Sequence, residues 1–501
     1  MRGWGTRLSR SMRVAISYPP FHTKGSPMLT QNRQFQWMSV GSYIYPVVPA
    51  TAATLLAEAG HDVLWNDGIV QGLDFDGWWR QLEGADPELV VLESKTPVIH
   101  QHWALIDDIK KRLPGARTVL IGDHATAEPE EQFRESQVDF VLTGGSYDVG
   151  LLALVSHLAG DGERPTGLYW RDGDRVRDNG RFTLHRDLDS LPFIDRRLTM
   201  ADRYFEKWKR RDPFFYTMAG RDCPRPRCTF CSWTTLHPRF AVRSPENLLD
   251  ELEMLVADHG VREVFDDTGT FPPGKWRRRF CEGMIERGLD KQILFSSNDR
   301  VDFARDPALP ELMKRAGWRK VKVGLESGNQ ATLDRIDKGI SVEDIVRGCR
   351  NLSQAGIDVQ LTVMVGYPWE TRADAQRTME LAGELMSRGY AEMLQATVVV
   401  PYPGTPLFRE CLEMGAFRFD PRDYERYDMT ETVLSTPDME PAEVMAMCQG
   451  VYRSFLKPKF IARQLLRVRS VEDLDYVKRG VVAVWGHLKD FGRARARNTR
   501  S

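Results

Sequence analysis

Short apolar segments alternate with amphipathic helical patterns along most of this chain, and this alternation restricts the possible folds more than any other feature. Five apolar segments in the first part are separated by helical patterns, such as the one that carries Leu55 and Leu56 and ends at Gly60. The five segments are residues 13–16, 63–65, 89–92, 118–122 and 140–143. They predict a doubly wound parallel sheet that extends to about residue 158.

The carboxyl ends of the strands in such a sheet form the edge at which ligands bind. The candidate residues at this edge are Tyr18 and Pro19, residues 94–96 with Ser94 and Thr96, residues 122–126 with Gly122 and His124, and Gly144 with Gly145. We therefore expect a ligand crevice in this first domain.

A second series of strand and helix patterns begins at residues 214–216, after a connector at 159–204 that contains a small predicted hairpin. Its later apolar segments are 264–265, 293–295, 321–323, 361–364 and 397–400. Six such repeats are too few for an eight-stranded barrel but sufficient for part of one. We therefore predict domains at 1–158 and 205–418, joined by the connector, with a helical region at 419–501.

Charge and composition exclude several classes of protein. The 501 residues include 69 Lys and Arg against 70 Asp and Glu, so the net charge of -1 gives no electrostatic case for nucleic acid or an anionic membrane. No apolar run approaches the length of about 20 residues that a membrane span needs. The first residues lack the apolar core of a secretory signal, and seven cysteines do not make a disulfide scaffold. A cytoplasmic protein is expected.

Three cysteines in nine residues, Cys223, Cys228 and Cys231, concentrate the chemistry in the loop after the first strand of the second series. Thiolates are preferred ligands of iron centres, and nearby arginines would favour the thiolate form. A structural zinc loop is the alternative, but it needs a fourth ligand, and His237 has an unusual spacing for that role. The other cysteines, at positions 281, 349, 411 and 448, are expected to be core thiols. Three ligands on a four-iron cluster would leave one iron open to a small molecule.

With these cysteines the sequence resembles the radical S-adenosylmethionine (SAM) superfamily, in particular the branch with an N-terminal cobalamin-binding domain. The resemblance implies a flavodoxin-like cobalamin-type domain, a partial (β/α)6 barrel and a 4Fe–4S cluster on Cys223, Cys228 and Cys231, with SAM on the open iron. The usual spacing is C-x3-C-x2-C, and this chain has one extra residue between the first two cysteines. Phe230 matches the family position whose backbone lies near the adenine of SAM.

Further segments at strand ends match those that hold SAM in the family. Each has an ordinary structural alternative as a cap, a surface pair or a turn, and their order along successive strands is what favours the resemblance. The implied SAM-binding residues are Asp266, Asp267, Arg300, Glu326, Gly366 and Pro401. Among them, Arg300 is expected to hold the SAM carboxylate and Glu326 the ribose.

The resemblance also implies cobalamin at the first domain, near Tyr18, Ser94, Thr96, Gly122, His124, Gly144 and Gly145. The glycines are expected to let the backbone approach the corrin or its nucleotide closely. No Asp-x-His-x-x-Gly motif supplies a histidine to cobalt, and an inherited, empty domain is the alternative. His100, His102 and His124 are each more typical of surface or capping histidines than of ligands.

These observations predict an enzyme that cleaves SAM reductively to a 5′-deoxyadenosyl radical. Methyl transfer from methylcobalamin to an unactivated centre of a small molecule or natural-product intermediate is the favoured outcome. The alternatives are a radical cyclisation or rearrangement without net methylation, and a non-catalytic metal or cobalamin sensor. An electron donor such as flavodoxin or ferredoxin is implied, whereas a role in transfer-RNA modification is disfavoured by the neutral charge.

Overall fold

The computed structural model of this chain describes residues 10–21, 26–27, 37–38, 41–450, 455, 458–466, 468 and 473–481. In these residues the chain forms two sheets of parallel strands, each covered by helices, and a C-terminal region of short helices. The α/β architecture predicted from the sequence is confirmed.

The first sheet has seven strands in the order β4-β1-β5-β6-β7-β8-β9. The strands up to this point are β1 Arg13–Tyr18, β2 Ser26–Pro27, β3 Trp37–Met38, β4 Asp62–Asp67, β5 Leu89–Glu93, β6 Arg117–Ile121, β7 Phe140–Leu142, β8 Leu168–Asp172 and β9 Arg175–Asp178. Five of the seven run parallel, and β2 pairs only with β3. The antiparallel pair β8 and β9 continues this sheet, so part of the predicted connector belongs to it. The chain order reverses between β4, β1 and β5, which places a ligand crevice at Tyr18 and Ser94.

The helices of this domain cover both faces of the sheet. As a result every residue of β5 is buried, as expected for a strand covered on both sides. The helices are α1 Val47–Glu58, α2 Phe75–Ala85, α3 Ile99–Arg112, α4 Asp123–Ala127, α5 Pro129–Glu135 and α6 Tyr147–Leu158, and the first 3-10 turn is Thr96–Val98. Two further 3-10 turns, Leu188–Ser190 and Ala201–Arg203, lie in the connector.

The second sheet has six parallel strands in the order β10-β13-β14-β15-β16-β17, the partial barrel predicted from the sequence. The strands are β10 Phe214–Thr217, β11 Gly220–Arg221, β12 Ala241–Val242, β13 Glu263–Asp266, β14 Leu294–Asp299, β15 Trp318–Glu326, β16 Asp358–Val365 and β17 Met393–Val398. The last strand begins four residues before its predicted start at 397 and ends before Pro401, which cannot donate to a ladder. The short strands β11 and β12 pair beside the cysteine loop.

Side-chain caps start several of the barrel helices. Ser244 accepts from the backbone N–H of Asn247, and Ser341 with Asp344 forms a capping box. The helices are α7 Trp233–Leu236, α8 Pro245–His259, α9 Gly274–Glu286, α10 Ala308–Arg315, α11 Gln330–Arg335, α12 Val342–Gln354, α13 Arg372–Arg388 and α14 Pro406–Glu413. The 3-10 turns are Leu289–Lys291 and Val301–Arg305.

The C-terminal region consists of short helices that pack against both domains. Its elements are the 3-10 turn Tyr424–Tyr427, α15 Pro441–Gly450, α16 Pro458–Leu466 and a further helical stretch at 473–481. Tyr424 donates from its hydroxyl to the carboxylate of Glu131 in the first domain, 3.1 Å away. No helix in the described ranges is long and apolar enough to cross a membrane.

Candidate active site

A cavity that opens to solvent lies at the carboxyl ends of the barrel strands. All three cysteines of the loop line it, together with Phe230, Arg300 and Glu326. Strands β14 to β17 contribute Asn298, Asp299, Lys322, Gly324, Thr362, Met364, Gln395 and Val398 to its wall. The wall therefore brings the three thiols together with charged and polar side chains from the ends of four strands.

The cysteine loop is anchored at both ends. The backbone N–H of Cys231 donates to the carbonyl of Cys228 at 3.2 Å, and the N–H of Arg225 lies 3.4 Å from the sulfur of Cys223. Ser232, which follows Cys231, donates to Asp123 of the first domain at 3.4 Å. Three thiols from one loop therefore face one cavity, a donor set suited to an iron–sulfur cluster with an open iron.

The charge that acts on Cys228 comes from residues other than the predicted arginines. Burial raises the pKa of the Cys228 thiol, and Lys338 opposes that rise. Arg221 and Arg225 are instead paired with Asp148 and Asp337, and Arg227 is exposed. The expectation that all three arginines favour the thiolate form is thus replaced by a lysine that lines the cavity.

The zinc alternative finds no support in the position of His237. Its ring lies against Gly145, where a Cβ would come within 2.1 Å of it, and it packs on Trp233 with ring centroids 5.5 Å apart. The four other cysteines are buried and outside the cavity wall, as expected for core thiols.

Glu326 reaches the cavity through an irregular backbone. The register of β15 against β16 shifts between Gly324 and Glu326, and Glu326 has a φ of 58°, in the left-handed region. Its carboxylate accepts from Nζ of Lys338 at 2.7 Å. A Cβ on Gly324 would lie 2.0 Å from Oε1 of Glu326 and 2.6 Å from Nζ of Lys338. The glycine is therefore needed for this ion pair at the cavity wall.

Arg300 also lines the cavity, but its guanidinium is already bonded within the protein. It donates to both carboxylate oxygens of Asp302, at 3.2 and 3.1 Å, and to the carbonyls of Lys338 and Gly339. A SAM carboxylate would therefore share Arg300 with Asp302. The assignment of Arg300 to that carboxylate stays a prediction.

Four other predicted SAM residues, Asp266, Asp267, Gly366 and Pro401, lie outside the cavity wall. Asp266 accepts from the backbone N–H of Ala219 at 2.7 Å and of Thr268 at 3.1 Å, so it joins two strand ends. Burial raises its pKa to about 7. The N–H of Gly366 donates to Glu370. The assignment of these four residues to SAM stays a prediction.

Four charged residues of the wall were not identified from the sequence: Asp222, Asp299, Lys322 and Lys338. Asp299 is held by the buried Arg277, whose Nη2 lies 2.5 Å from its Oδ1. Burial raises the pKa of Asp299 to about 6, against the effect of Arg277. Asp299 lies between the two strand-end residues Asn298 and Arg300, and this neighbourhood was the signal that could have identified it.

The crevice of the first domain contains a buried polar network. Tyr18 donates to Glu93 at 2.8 Å, and Lys95 lies 3.3 Å from Glu93 and 3.7 Å from Asp123. Ser94 contacts His102 at 3.2 Å. Thr96 contacts His124 at 3.1 Å, and His124 lies 3.4 Å from Glu131. The candidate cobalamin residues are thus together at one edge, with partners in the protein.

The three glycines at this edge are each explained by close contacts within the protein. A Cβ on Gly122 would lie 2.5 Å from the carbonyl oxygen of Ser94, and one on Gly144 would lie 2.4 Å from the ring of Phe182. His237 fills the corresponding space at Gly145. Protein rings therefore lie on the Cβ side of both Gly144 and Gly145, and the approach of a corrin to these glycines stays a prediction.

A family model described as "Radical SAM superfamily" matches residues 219–382, the segment that begins before the cysteine loop and ends in α13. These residues form a radical SAM domain, and the chain is a radical SAM enzyme. The match covers most of the barrel and does not include the first domain.

Curated relatives match along most of the chain. An anaerobic magnesium-protoporphyrin IX monomethyl ester cyclase of Cereibacter sphaeroides is 26% identical over 464 residues, 89% of this chain and 71% of the relative. An uncharacterized methyltransferase of Pyrococcus horikoshii is 25% identical over 431 residues, 85% of this chain and 91% of the relative. The chain is thus similar both to a cyclase and to a methyltransferase.

Two solved structures have a similar fold. OxsB, a cobalamin-dependent SAM radical enzyme solved with aqua-cobalamin and SAM bound, superposes with a TM-score of 0.69 at 15% identity, over 96% of this chain and 72% of that one. TsrM from Kitasatospora setae is a radical SAM methyltransferase solved with cobalamin and a [4Fe-4S] cluster bound. It superposes with a TM-score of 0.67 at 15% identity, over 97% of this chain and 100% of that one. The likeness extends over both sheets and the connection between them.

Proposed function

We propose that this enzyme cleaves SAM reductively and uses the resulting radical to methylate an unactivated centre of a small molecule. The main support for this proposal is the cavity that the three cysteines line together with Glu326 and Lys338. A 4Fe–4S cluster on Cys223, Cys228 and Cys231, when reduced, supplies the electron that splits SAM into methionine and a 5′-deoxyadenosyl radical.

The protein's own residues bind and orient SAM. We assign the Glu326 carboxylate to the ribose hydroxyls and Arg300 to the SAM carboxylate, since both line the cavity together with Phe230. Lys338 holds Glu326 in place. The buried wall excludes water, which protects a reactive radical from side reactions.

Methyl transfer is supported by the likeness to cobalamin-dependent enzymes in both domains. Cobalamin, when bound, would supply the methyl group. Tyr18, Ser94, Thr96, Gly122 and His124 are proposed as its nearest residues, while the rings of Phe182 and His237 leave Gly144 and Gly145 out of the site.

A second candidate is a radical cyclisation or rearrangement without net methylation. The observation that favours it is the buried network at the first domain's strand ends, in which the candidate cobalamin residues already have protein partners. The similarity to a cyclase over most of the chain also supports a cyclisation. In this case the first domain would support the cysteine loop without carrying a cofactor.

We place the enzyme in the cytoplasm, where a flavodoxin or ferredoxin would supply the electron and no nucleic acid is required. The near-zero net charge supports the last point.

Anaerobic reconstitution with iron, sulfide and hydroxocobalamin, followed by addition of SAM, a reductant and candidate small-molecule substrates, tests the proposal. We expect 5′-deoxyadenosine from the native chain and none from Cys228→Ala. S-adenosylhomocysteine formed together with a methylated product supports the methyltransferase, whereas its absence beside a modified product supports the cyclase. Equilibrium dialysis with hydroxocobalamin separates the two candidates independently, because binding supports the methyltransferase and no binding supports the cyclase. A chain that holds stoichiometric zinc and no sulfide would contradict both candidates.

A further inference from the structure

Lys322 faces the cavity from the middle of β15. On this strand Lys320, Lys322, Gly324 and Glu326 alternate with buried apolar residues, so the four point to the same side. Glu326 and Lys338 pair near the cysteine loop, and Lys320 pairs with Glu206. Lys322 lies between these two ion pairs.

Lys322 makes no ion pair or hydrogen bond of its own with any residue that the structure describes. Its Nζ lies 5.5 Å from the centre of the Phe265 ring, and its charge also acts on Glu206, which Lys320 holds. Burial raises the pKa of Glu206, but Lys320 and Lys322 together lower it below its usual range. Two ammonium groups therefore share one carboxylate, and one positive charge is left at the cavity wall.

The groups around Lys322 suit an anion attached to an apolar body. Asn298, which lies opposite Lys322 on β14, lines the cavity. Thr362 on β16 and Gln395 on β17, which lie opposite each other, also line it. The rest of the wall includes the apolar side chains of Ile44, Met364, Val398, Val400 and Met429. A half-buried ammonium beside neutral polar side chains and an apolar wall matches a single carboxylate, whereas phosphate sites in proteins typically use arginine forks or backbone N–H groups.

We propose that Lys322 binds a carboxylate of the substrate, and that the substrate is therefore an apolar molecule that carries a carboxylate. This inference rests on the proposed function, since it takes the cavity to be the place where SAM and substrate meet. Lys322 would hold the substrate at its charged end and leave its apolar part in the remaining space of the cavity.

Binding of matched probes to the reconstituted, SAM-bound full chain tests the inference by calorimetry under anaerobic conditions. The probes are octanoate, octanamide and octyl phosphate. We expect octanoate to bind at least tenfold more tightly than octanamide, because a charged hydrogen bond is worth that much or more. Lys322→Met should bring the ratio close to one, and Lys322→Arg should keep most of it. Lys291→Met, a change at an exposed lysine outside the cavity, should leave the ratio unchanged.

Several results would overturn the inference. Equal binding of octanoate and octanamide to the native chain is one, and a preference that survives Lys322→Met is another. Tighter binding of octyl phosphate than of octanoate would refute the carboxylate assignment. A large loss of SAM affinity in Lys322→Met would mean that this lysine holds SAM instead. A native chain that shows the octanoate preference but forms no 5′-deoxyadenosine would refute the proposed function while the carboxylate site stands.

Discussion

Arg221 and Asp148 form a buried ion pair between the two domains of the chain. Nη1 of Arg221 lies 3.0 Å from Oδ1 of Asp148, the second nitrogen bonds the second oxygen, and the side chains are 6% and 0% exposed. Asp148 belongs to α6 of the first domain, and Arg221 precedes Cys223 by two residues. The first domain therefore holds the start of the cysteine loop directly.

Replacing Asp148 by Asn should destabilise the protein by about 3–5 kcal/mol, because Arg221 would remain buried without its counter-charge. The midpoint of thermal unfolding measures this. Asp108→Asn is the matched control, since Asp108 pairs with Lys111 at the surface, where an ion pair is worth at most about 1 kcal/mol. Equal shifts in both variants would mean that the interdomain pair contributes no more than a surface pair.

Cys228→Ala should lose most of the iron and sulfide of the reconstituted protein, because two thiolates cannot retain a cluster that needs three. Cys349→Ala is the control, since Cys349 is a buried thiol outside the cavity. Iron and sulfide analysis after desalting measures the difference. Similar iron contents in the two variants would show that the loop does not hold the cluster.

Gly324→Ala should weaken SAM binding about tenfold or more, because the new methyl group would collide with the Glu326–Lys338 pair. Glu326→Gln should have a similar effect through the loss of the charged acceptor. Gly84→Ala is the matched control, since a Cβ there meets nothing within 4 Å. Calorimetry on the cluster-loaded chain gives the SAM affinities, and unchanged values for both site variants would remove Glu326 from the SAM site.

Elements with a strong local signal were predictable from the sequence. Strands buried on both sides, such as Leu89–Glu93, read as continuous apolar runs, and caps such as Ser341 mark helix starts. The cysteine triplet was equally clear, because all three ligands lie in one loop. Such features depend on neighbours in sequence.

Features that depend on long-range contacts were not predictable. Lys338 reaches Glu326 from a loop twelve residues later, and nothing in its own neighbourhood marks it. The glycines at 144 and 145 suggested room for a cofactor, but the rings that fill the space come from residues 182 and 237. A glycine in a sequence shows that something comes close to the backbone, and only the fold shows whether it is a ligand or another part of the chain.

Glu251 should give the stability of the barrel a defined dependence on pH. Burial alone would raise its pKa, but Arg243 and Arg196 outweigh burial and lower it to about 2, from an ordinary value of 4.5. Because the folded state binds this proton more weakly than the unfolded state, the contribution to stability is present in full above about pH 4.5. It is lost as the pH falls through about 2, and its size is about 3 kcal/mol.

The difference in thermal midpoint between the native chain and Glu251→Gln isolates this contribution, since other carboxylates titrate alike in both proteins. We expect a large difference at pH 7 that shrinks steadily below pH 4.5, because protonated Glu251 is as neutral as glutamine. Glu343→Gln is the control, since the side chain of Glu343 is 83% exposed and should give a small difference. A difference for Glu251→Gln that stays constant down to pH 3 would mean that the two arginines stabilise the barrel through packing and not through the charge of Glu251.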